Sequence, residues 1–233
     1  MLKCLFAAAV LVALCTSGVA AGPFEDGVAA YDRGDYDEAV RLWRPLAEQG
    51  NDKAQSNLGF MYIYGLGAPQ DDAEAVRLYR LSAEQGNAGA RYNLGAMYES
   101  GRGVPQDVAA AVRSYELSAE LGNADAQDAL GRVHANGLGV SQDDVAATRW
   151  YRMAAEQGNP GSQARLGFMY VDGRGVPQDF VIARAWLSLA ATQGFDPAQS
   201  LLDRIEATMT SEQLAEAERA ARDCLASNYT NCP

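Results

Sequence analysis

Small and apolar residues recur along this chain at helical spacing, in two alternating registers, and the whole arrangement repeats every 36 residues. The unit is clearest from Asn87 to Gly122. Its first register runs Ala90, Leu94, Gly95 and Tyr98. Steps of four, one and three put these residues on one stripe of a helix. The second register runs Ala111, Tyr115 and Ala119, again at helical spacing. Between them lies Gly101-Arg102-Gly103-Val104-Pro105-Gln106-Asp107. Its glycines can take the positive φ that ends a helix, and its Asp is placed to cap the next one. Each unit therefore predicts a helix, a glycine loop and a second helix.

The register holds without insertion or deletion over four copies, at 51–86, 87–122, 123–158 and 159–194. The Leu-Gly pair falls at Leu58-Gly59, Leu94-Gly95, Leu130-Gly131 and Leu166-Gly167. A fixed period of this length marks a stacked array, each unit packing mainly on its neighbours. A Gly inside a helix costs roughly 1 kcal/mol against Ala, so its return in every first helix implies another helix passing too close for a Cβ. Residues 22–50 read as a degenerate first hairpin without the long loop: a helix over Phe24 to Tyr31, a turn at Gly34-Asp35, and a helix over Tyr36 to Gln49. Pro45 falls inside that second helix, where it removes one backbone hydrogen bond and should bend the rod. After Gly194 the glycine loop disappears. A shortened helix over Pro197 to Ala207 and a polar helix capped at Thr210 or Ser211 then close the array at 195–233.

The units resemble Sel1-like repeats, a branch of the tetratricopeptide superfamily, through the pattern A-x-x-x-L-G-x-x-Y-x-x-G-x-G-V-x-x-D-x-x-x-A-x-x-W-Y-x-x-A-A-x-x-G. Departures include Ser162 for Ala, His134 for Tyr, and Ser82 and Ser118 for the first Ala of Ala-Ala. The resemblance implies an all-α, right-handed α-solenoid whose first helices line a concave groove. By the same resemblance the groove positions are Asn57, Phe60 and Ile63; Tyr92, Asn93, Ala96 and Glu99; Asp128, Arg132 and Ala135; and Ala164, Arg165, Phe168 and Val171. Phe60, Tyr92 and Phe168 are candidate apolar anchors. Asn57 and Asn93 match the place where related domains hold a peptide backbone. Arg132 and Arg165 are candidate partners for a ligand carboxylate.

Composition narrows the partners. The chain has 30 Asp and Glu against 19 Lys and Arg, a formal net charge of −11. An acidic surface repels phosphate backbones and anionic lipid, which argues against nucleic acid and electrostatic membrane binding. The N-terminus, with Lys3, the apolar run Leu5 to Leu14 and small residues to Ala20-Ala21, predicts a signal peptide over 1–21. The run is too short to span a bilayer. Its cleavage would remove Lys3, Cys4 and Cys15, leaving Cys224 and Cys232 in the tail. In an exported chain two cysteines eight apart predict a small disulfide, with a pair of free thiols as the alternative. They do not predict zinc, because two ligands are too few and no His lies near.

Candidate catalytic chemistry is sparse. Gly-x-Gly suggests phosphate binding, but a dinucleotide loop joins a strand to a helix, whereas here it joins two helices, four times over. His134 is the single histidine and occupies a packing position, which reads as a buried polar residue rather than a ligand. There is no Ser-x-x-Lys and no second His for a dyad. The sequence therefore predicts no enzyme, cofactor or metal. It predicts a monomeric exported scaffold, most simply periplasmic, that binds a protein or peptide. The alternatives are a secreted effector acting on a host or competitor protein, and an envelope enzyme or β-lactam-binding protein of the kind linked to some exported Sel1-like chains. Those carry a Cys pair in each repeat, and these repeats carry none.

Overall fold

The computed structural model describes residues 22–233, so the predicted signal peptide lies outside the described residues. These form twelve helices: α1 (Pro23–Asp32), α2 (Tyr36–Glu48), α3 (Asp52–Tyr64), α4 (Asp72–Glu84), α5 (Ala88–Ser100), α6 (Val108–Glu120), α7 (Ala124–Asn136), α8 (Asp144–Ala155), α9 (Pro160–Asp172), α10 (Phe180–Thr192), α11 (Asp196–Glu206) and α12 (Ser211–Ala226). From α1 to α10 each odd helix pairs with the even helix that follows it, and successive hairpins stack through the even helix of one and the odd helix of the next; α11 and α12 both pack on α10. The result is a right-handed α-solenoid, built as the 36-residue register requires. Helix α2 runs on through Pro45 to Glu48.

The helix boundaries have local causes. Asn51, Asn87, Asn123 and Asn159 accept the N–H three residues on and cap the first helices. Asp71, Asp107, Asp143 and Asp179 do the same for the second helices. Such caps are worth about 1 kcal/mol each. Thr210 and Gln213 form a reciprocal capping box at the start of α12.

Within a hairpin, the helical glycine chiefly makes room for a large side chain of the partner helix, although at Gly95 and Gly167 a carbonyl of that helix also lies 3.2 Å from the Cβ position. A Cβ on Gly131 would lie 2.4 Å from the Tyr151 ring, and one on Gly167 would lie 2.6 Å from Leu187 Cγ. The large second-register residue thus fills the space the glycine vacates. Between hairpins, the second loop glycine makes the close approach. Gly103 has φ +71°, and a Cβ there would sit 2.4 Å from the Asp72 carbonyl oxygen at the start of α4.

Polar side chains stitch the same surfaces. Gln55 donates to the Ala47 carbonyl and accepts from Gln85; Gln127 and Gln163 repeat both bonds with Ala119 and Gln157, and with Ala155 and Gln193. In the second unit Arg91 and Leu121 replace the pair together, and Arg91 still reaches the Ala83 carbonyl at 3.0 Å. The serines that depart from the repeat pattern are used: Ser82 donates to the Asp52 carbonyl at 2.8 Å and Ser118 to the Ala88 carbonyl at 2.7 Å.

At the C-terminal end α12 packs on α10 and closes the stack. Arg184 joins the two capping helices by reaching Glu206 at 2.8 Å and Glu218 at 3.4 Å. Cys224 is fully buried, and its Cα lies 4.4 Å from that of Cys232, to which it is paired.

Candidate functional site

The first helices form one wall of the solenoid, and its chemistry changes along its length. Near the N-terminal end it is aromatic. Tyr31 of α1 meets Phe60 of α3 edge-on with ring centroids 6.2 Å apart, and Phe60 lies 4.6 Å from Tyr64. Tyr64 is 61% exposed, although it is large and mostly apolar. Phe60 separates two hollows. One, of about 230 Å³, is lined by Val28, Tyr31, Trp43, Asn57 and Phe60. The other, of about 170 Å³, includes Phe60, Tyr64, Asn93, Ala96, Ser100 and Arg102 in its lining. The floor of the first is fixed by Trp43, whose indole donates to the Phe24 carbonyl at 3.1 Å. Gly27 makes room for that ring, since a Cβ there would lie 2.4 Å from it.

Asn57 and Asn93 stand one repeat apart, one in each hollow, and both are half-buried. Neither side-chain amide has a hydrogen-bond partner among the described residues. A primary amide supplies two N–H donors and a carbonyl acceptor, the complement of a peptide bond. Aromatic faces beside unpaired amides suit an apolar side chain together with its own backbone.

Towards the middle of the array the wall becomes ionic, and its charges are already matched. Tyr115 donates to Glu99 at 2.6 Å, and Arg132 reaches the same carboxylate at 3.4 Å. Arg165 lies 2.7 Å from Asp128, which also accepts from Ser162 at 2.5 Å. Burial, reinforced by the Glu99 hydrogen bond, pushes the Tyr115 hydroxyl well above the usual tyrosine range. Burial likewise raises Tyr92, with Asp125 adding to it. Burial works against the charge on Arg132, but Glu99 outweighs it and holds the guanidinium above its ordinary pKa.

The structure therefore brings Asn57, Phe60, Asn93, Tyr92, Glu99, Asp128, Arg132 and Arg165 to one wall, and it corrects several expectations there. Ile63 does line the second hollow, but only from its floor: it is 8% exposed and packs in the seam core with the next hairpin. Ala164 is fully buried. Arg132 and Arg165 are not free to take a ligand carboxylate, since Glu99 and Asp128 of this chain hold them. Tyr92 stacks on Tyr115 at 5.8 Å instead of standing clear. Phe168 packs against the C-terminal core with Ala135 and Val171, away from the aromatic hollows. Sequence reasoning missed Tyr31 and Tyr64. The signal for Tyr64 was its position four residues after Phe60, one helical turn along the same face.

His134 takes the place held by Tyr62, Tyr98 and Tyr170 in the other repeats, and Glu116 replaces the arginine that reaches those hydroxyls from Arg44, Arg80 and Arg152. Its Nδ1 is buried without a partner, although the residue as a whole is half-buried. Among the described residues no group of three or more His, Cys, Asp or Glu could hold a metal.

The Sel1 repeat family matches residues 24–51, 52–87, 88–123, 124–159 and 160–195, which is most of the chain and includes its first hairpin. This chain belongs to the Sel1 repeat family. Among solved structures it is similar to a protective antigen of uropathogenic Escherichia coli that displays an SLR fold. That match has 33% identity and a TM-score of 0.74, over 86% of this chain and 46% of that one. It is also similar to a Sel1 repeat protein of Oxalobacter formigenes, with 38% identity and a TM-score of 0.68 over 73% of this chain and 49% of that one. The chain thus spans about half the length of each. An immunity protein of Pseudomonas aeruginosa, at 21% identity and a TM-score of 0.53 over 88% and 81% of the two chains, shares the fold. No curated protein matches the chain. Sel1 repeats are in general protein-interaction scaffolds without enzymatic activity of their own.

Proposed function

We propose that this chain is a non-enzymatic exported scaffold that binds a protein or peptide in the groove lined by its first helices. The observation that carries the reading is the pair of aromatic hollows flanking Phe60, each with an unbonded amide, Asn57 in one and Asn93 in the other. An apolar side chain of the ligand enters a hollow, and the amide takes its backbone. The ionic stretch from Glu99 to Arg165 bonds within itself, so it shapes the groove and leaves affinity to the aromatic end. A few well-packed aromatic contacts dominate most such interfaces.

Export rests on the predicted signal peptide and on the Cys224–Cys232 pair, which as a disulfide would persist in an oxidising compartment. No described helix is long and apolar enough to cross a membrane. The reading takes the periplasm as the destination and the monomer as the working form.

The test is photo-crosslinking from a benzoylphenylalanine placed at position 64 in the chain expressed in its own host. Capture of a defined partner by this chain, lost in an Asn57→Ala/Phe60→Ala/Asn93→Ala variant that stays helical, supports the groove. Capture that persists in that variant overturns it.

A further inference from the structure

The seam between successive even helices lies apart from the groove. In the last repeat this seam is filled. Arg152 donates to the carbonyl oxygen of Pro233 at 2.6 Å and to the Tyr170 hydroxyl, and the Trp186 indole donates to the same Pro233 oxygen at 3.3 Å. The Tyr229 ring lies against Gly158, so the tail returns over this seam and occupies it.

Three repeats earlier the equivalent seam is open. A cavity of about 500 Å³ lies between α2 and α4. Six of its lining residues, Arg44, Ala47, Glu48, Gln55, Leu58 and Tyr62, are identical to the residues at the same six places of the filled seam, where Arg152 and Tyr170 stand for Arg44 and Tyr62. Arg44 donates to the Tyr62 hydroxyl at 3.4 Å, as Arg152 does to Tyr170. It makes no other hydrogen bond among the described residues, so its remaining N–H groups match those that grip Pro233. The wall from α4 differs. Glu74, Arg77 and Leu78 stand where the last repeat has Ile182, Ala185 and Trp186, and Arg77 is paired with Glu74 at 2.6 Å. The open seam therefore has the arginine clamp without the indole, and a polar flank where the filled one is apolar.

The seam also continues as an apolar stripe. The position of Leu81 in the cavity wall recurs as Leu117 and Met153, which are 47% and 43% exposed, and as Leu189, which is 3% exposed where α12 covers α10. The cap covers the stripe at one end only.

We propose that the seam between α2 and α4 binds a peptide segment of a partner protein, with a main-chain or terminal oxygen of the peptide on Arg44 and its body over Tyr62 and Leu58. The chain's own tail on Arg152 shows the binding mode. Arginine bonds to peptide oxygens are charge-assisted and stronger than neutral ones. Arg44 itself is exposed, so its replacement leaves the core intact.

The probe is a fluorescent, oxidised peptide of residues 224–233, in free-acid and amidated forms, titrated into the purified chain and followed by anisotropy. The expected result is saturable binding of at least one form, weakened about ten-fold by Arg44→Gln with unchanged circular dichroism, as loss of a charged hydrogen bond predicts. The Asn57→Ala/Phe60→Ala/Asn93→Ala groove variant should bind the probe as the parent does, so this site and the groove fail or stand separately. Saturable binding of neither form, or equal binding to Arg44→Gln, overturns the proposal. Self-association of the chain that Arg44→Gln abolishes also overturns it, because the seam would then hold a second copy.

Discussion

The hydroxyl of Tyr115 on α6 donates to the carboxylate of Glu99 on α5 at 2.6 Å, tying the two helices of one hairpin together where the wall changes from aromatic to ionic. Glu99 also receives Arg132 from the next hairpin, so one carboxylate joins two repeats. Tyr115→Phe should lower stability by about 1.5–3 kcal/mol, the net worth of a hydrogen bond to a charged group. Thermal unfolding followed by circular dichroism measures it. A melting temperature equal to the parent's would show that Arg132 alone satisfies Glu99.

Three tyrosines in the second helices should make the chain sensitive to alkali. Burial is the leading cause at each: it raises Tyr79 and Tyr115 well above the ordinary tyrosine range and pushes Tyr151 up to about 12. A raised folded pKa stabilises the fold fully below the unfolded pKa, and that stability is lost as pH rises past it. Stability should therefore hold to about pH 10 and fall above it. Absorbance at the tyrosinate band should show a set of tyrosines that ionise only on unfolding. Ionisation of all of them in the still-folded chain would contradict this.

Acid should act through the loops. Asp72 and Asp144 are held below the usual carboxylate range chiefly by hydrogen bonds from Arg102 and Arg174. A depressed folded pKa gives stability above the unfolded value of 3.8, lost as pH falls through the folded value. Both pairs are partly exposed, so each is worth under about 1 kcal/mol. Leu66 and Leu138 hold the arginine position in the other two full loops. Arg102→Leu should accordingly be mild at neutral pH and should reduce the loss of stability as pH falls below the unfolded value. Denaturant midpoints across that range are the readout.

The two kinds of loop glycine should separate. Gly122 has φ +85° with nothing within 4 Å of a Cβ, so Gly122→Ala costs only backbone strain, about 1 kcal/mol. Gly103→Ala adds a collision with the Asp72 carbonyl at 2.4 Å and should cost clearly more, about 2–4 kcal/mol. Equal unfolding midpoints for the two variants would refute the close seating of the loop on α4.

Arg91 and Leu121 should behave as a coupled pair. Arg91→Gln with Leu121→Gln recreates the bonded glutamines of the other units. Leu121→Gln alone leaves the new amide without its partner. A double-mutant cycle should show a favourable coupling of about 0.5–1 kcal/mol. Strict additivity would mean that the glutamine bridge adds nothing in this unit.

The helices and their stacking order were legible because everything that sets them lies within one period: the Ala-Leu-Gly-Tyr stripe, the capping Asp, the loop glycines. The wall was legible only in part. Ile63 and Phe60 sit on the same helix three apart and both line the second hollow, yet Ile63 is buried while Phe60 is only partly covered, because burial there depends on what the next hairpin covers. The fate of Arg132 and Arg165 is likewise decided across repeats, by Glu99 and Asp128 in the hairpin before. A periodicity that treats units as equivalent does not encode which unlike neighbours meet. The Arg-Tyr seam escaped notice for the same reason, since the tyrosines read as core while Tyr62 and Tyr98 are only half-buried beneath their arginines.

The seating of Gly103 on the first turn of α4 bears on how such chains evolve. The junction is made by a loop from one unit and a helix start from the unit before, so every complete period carries both halves of the contact. Duplicating or deleting a whole unit in the gene restores each junction, whereas a slip of one residue would misalign a loop glycine with its helix start. Array length can therefore vary in whole steps while register cannot.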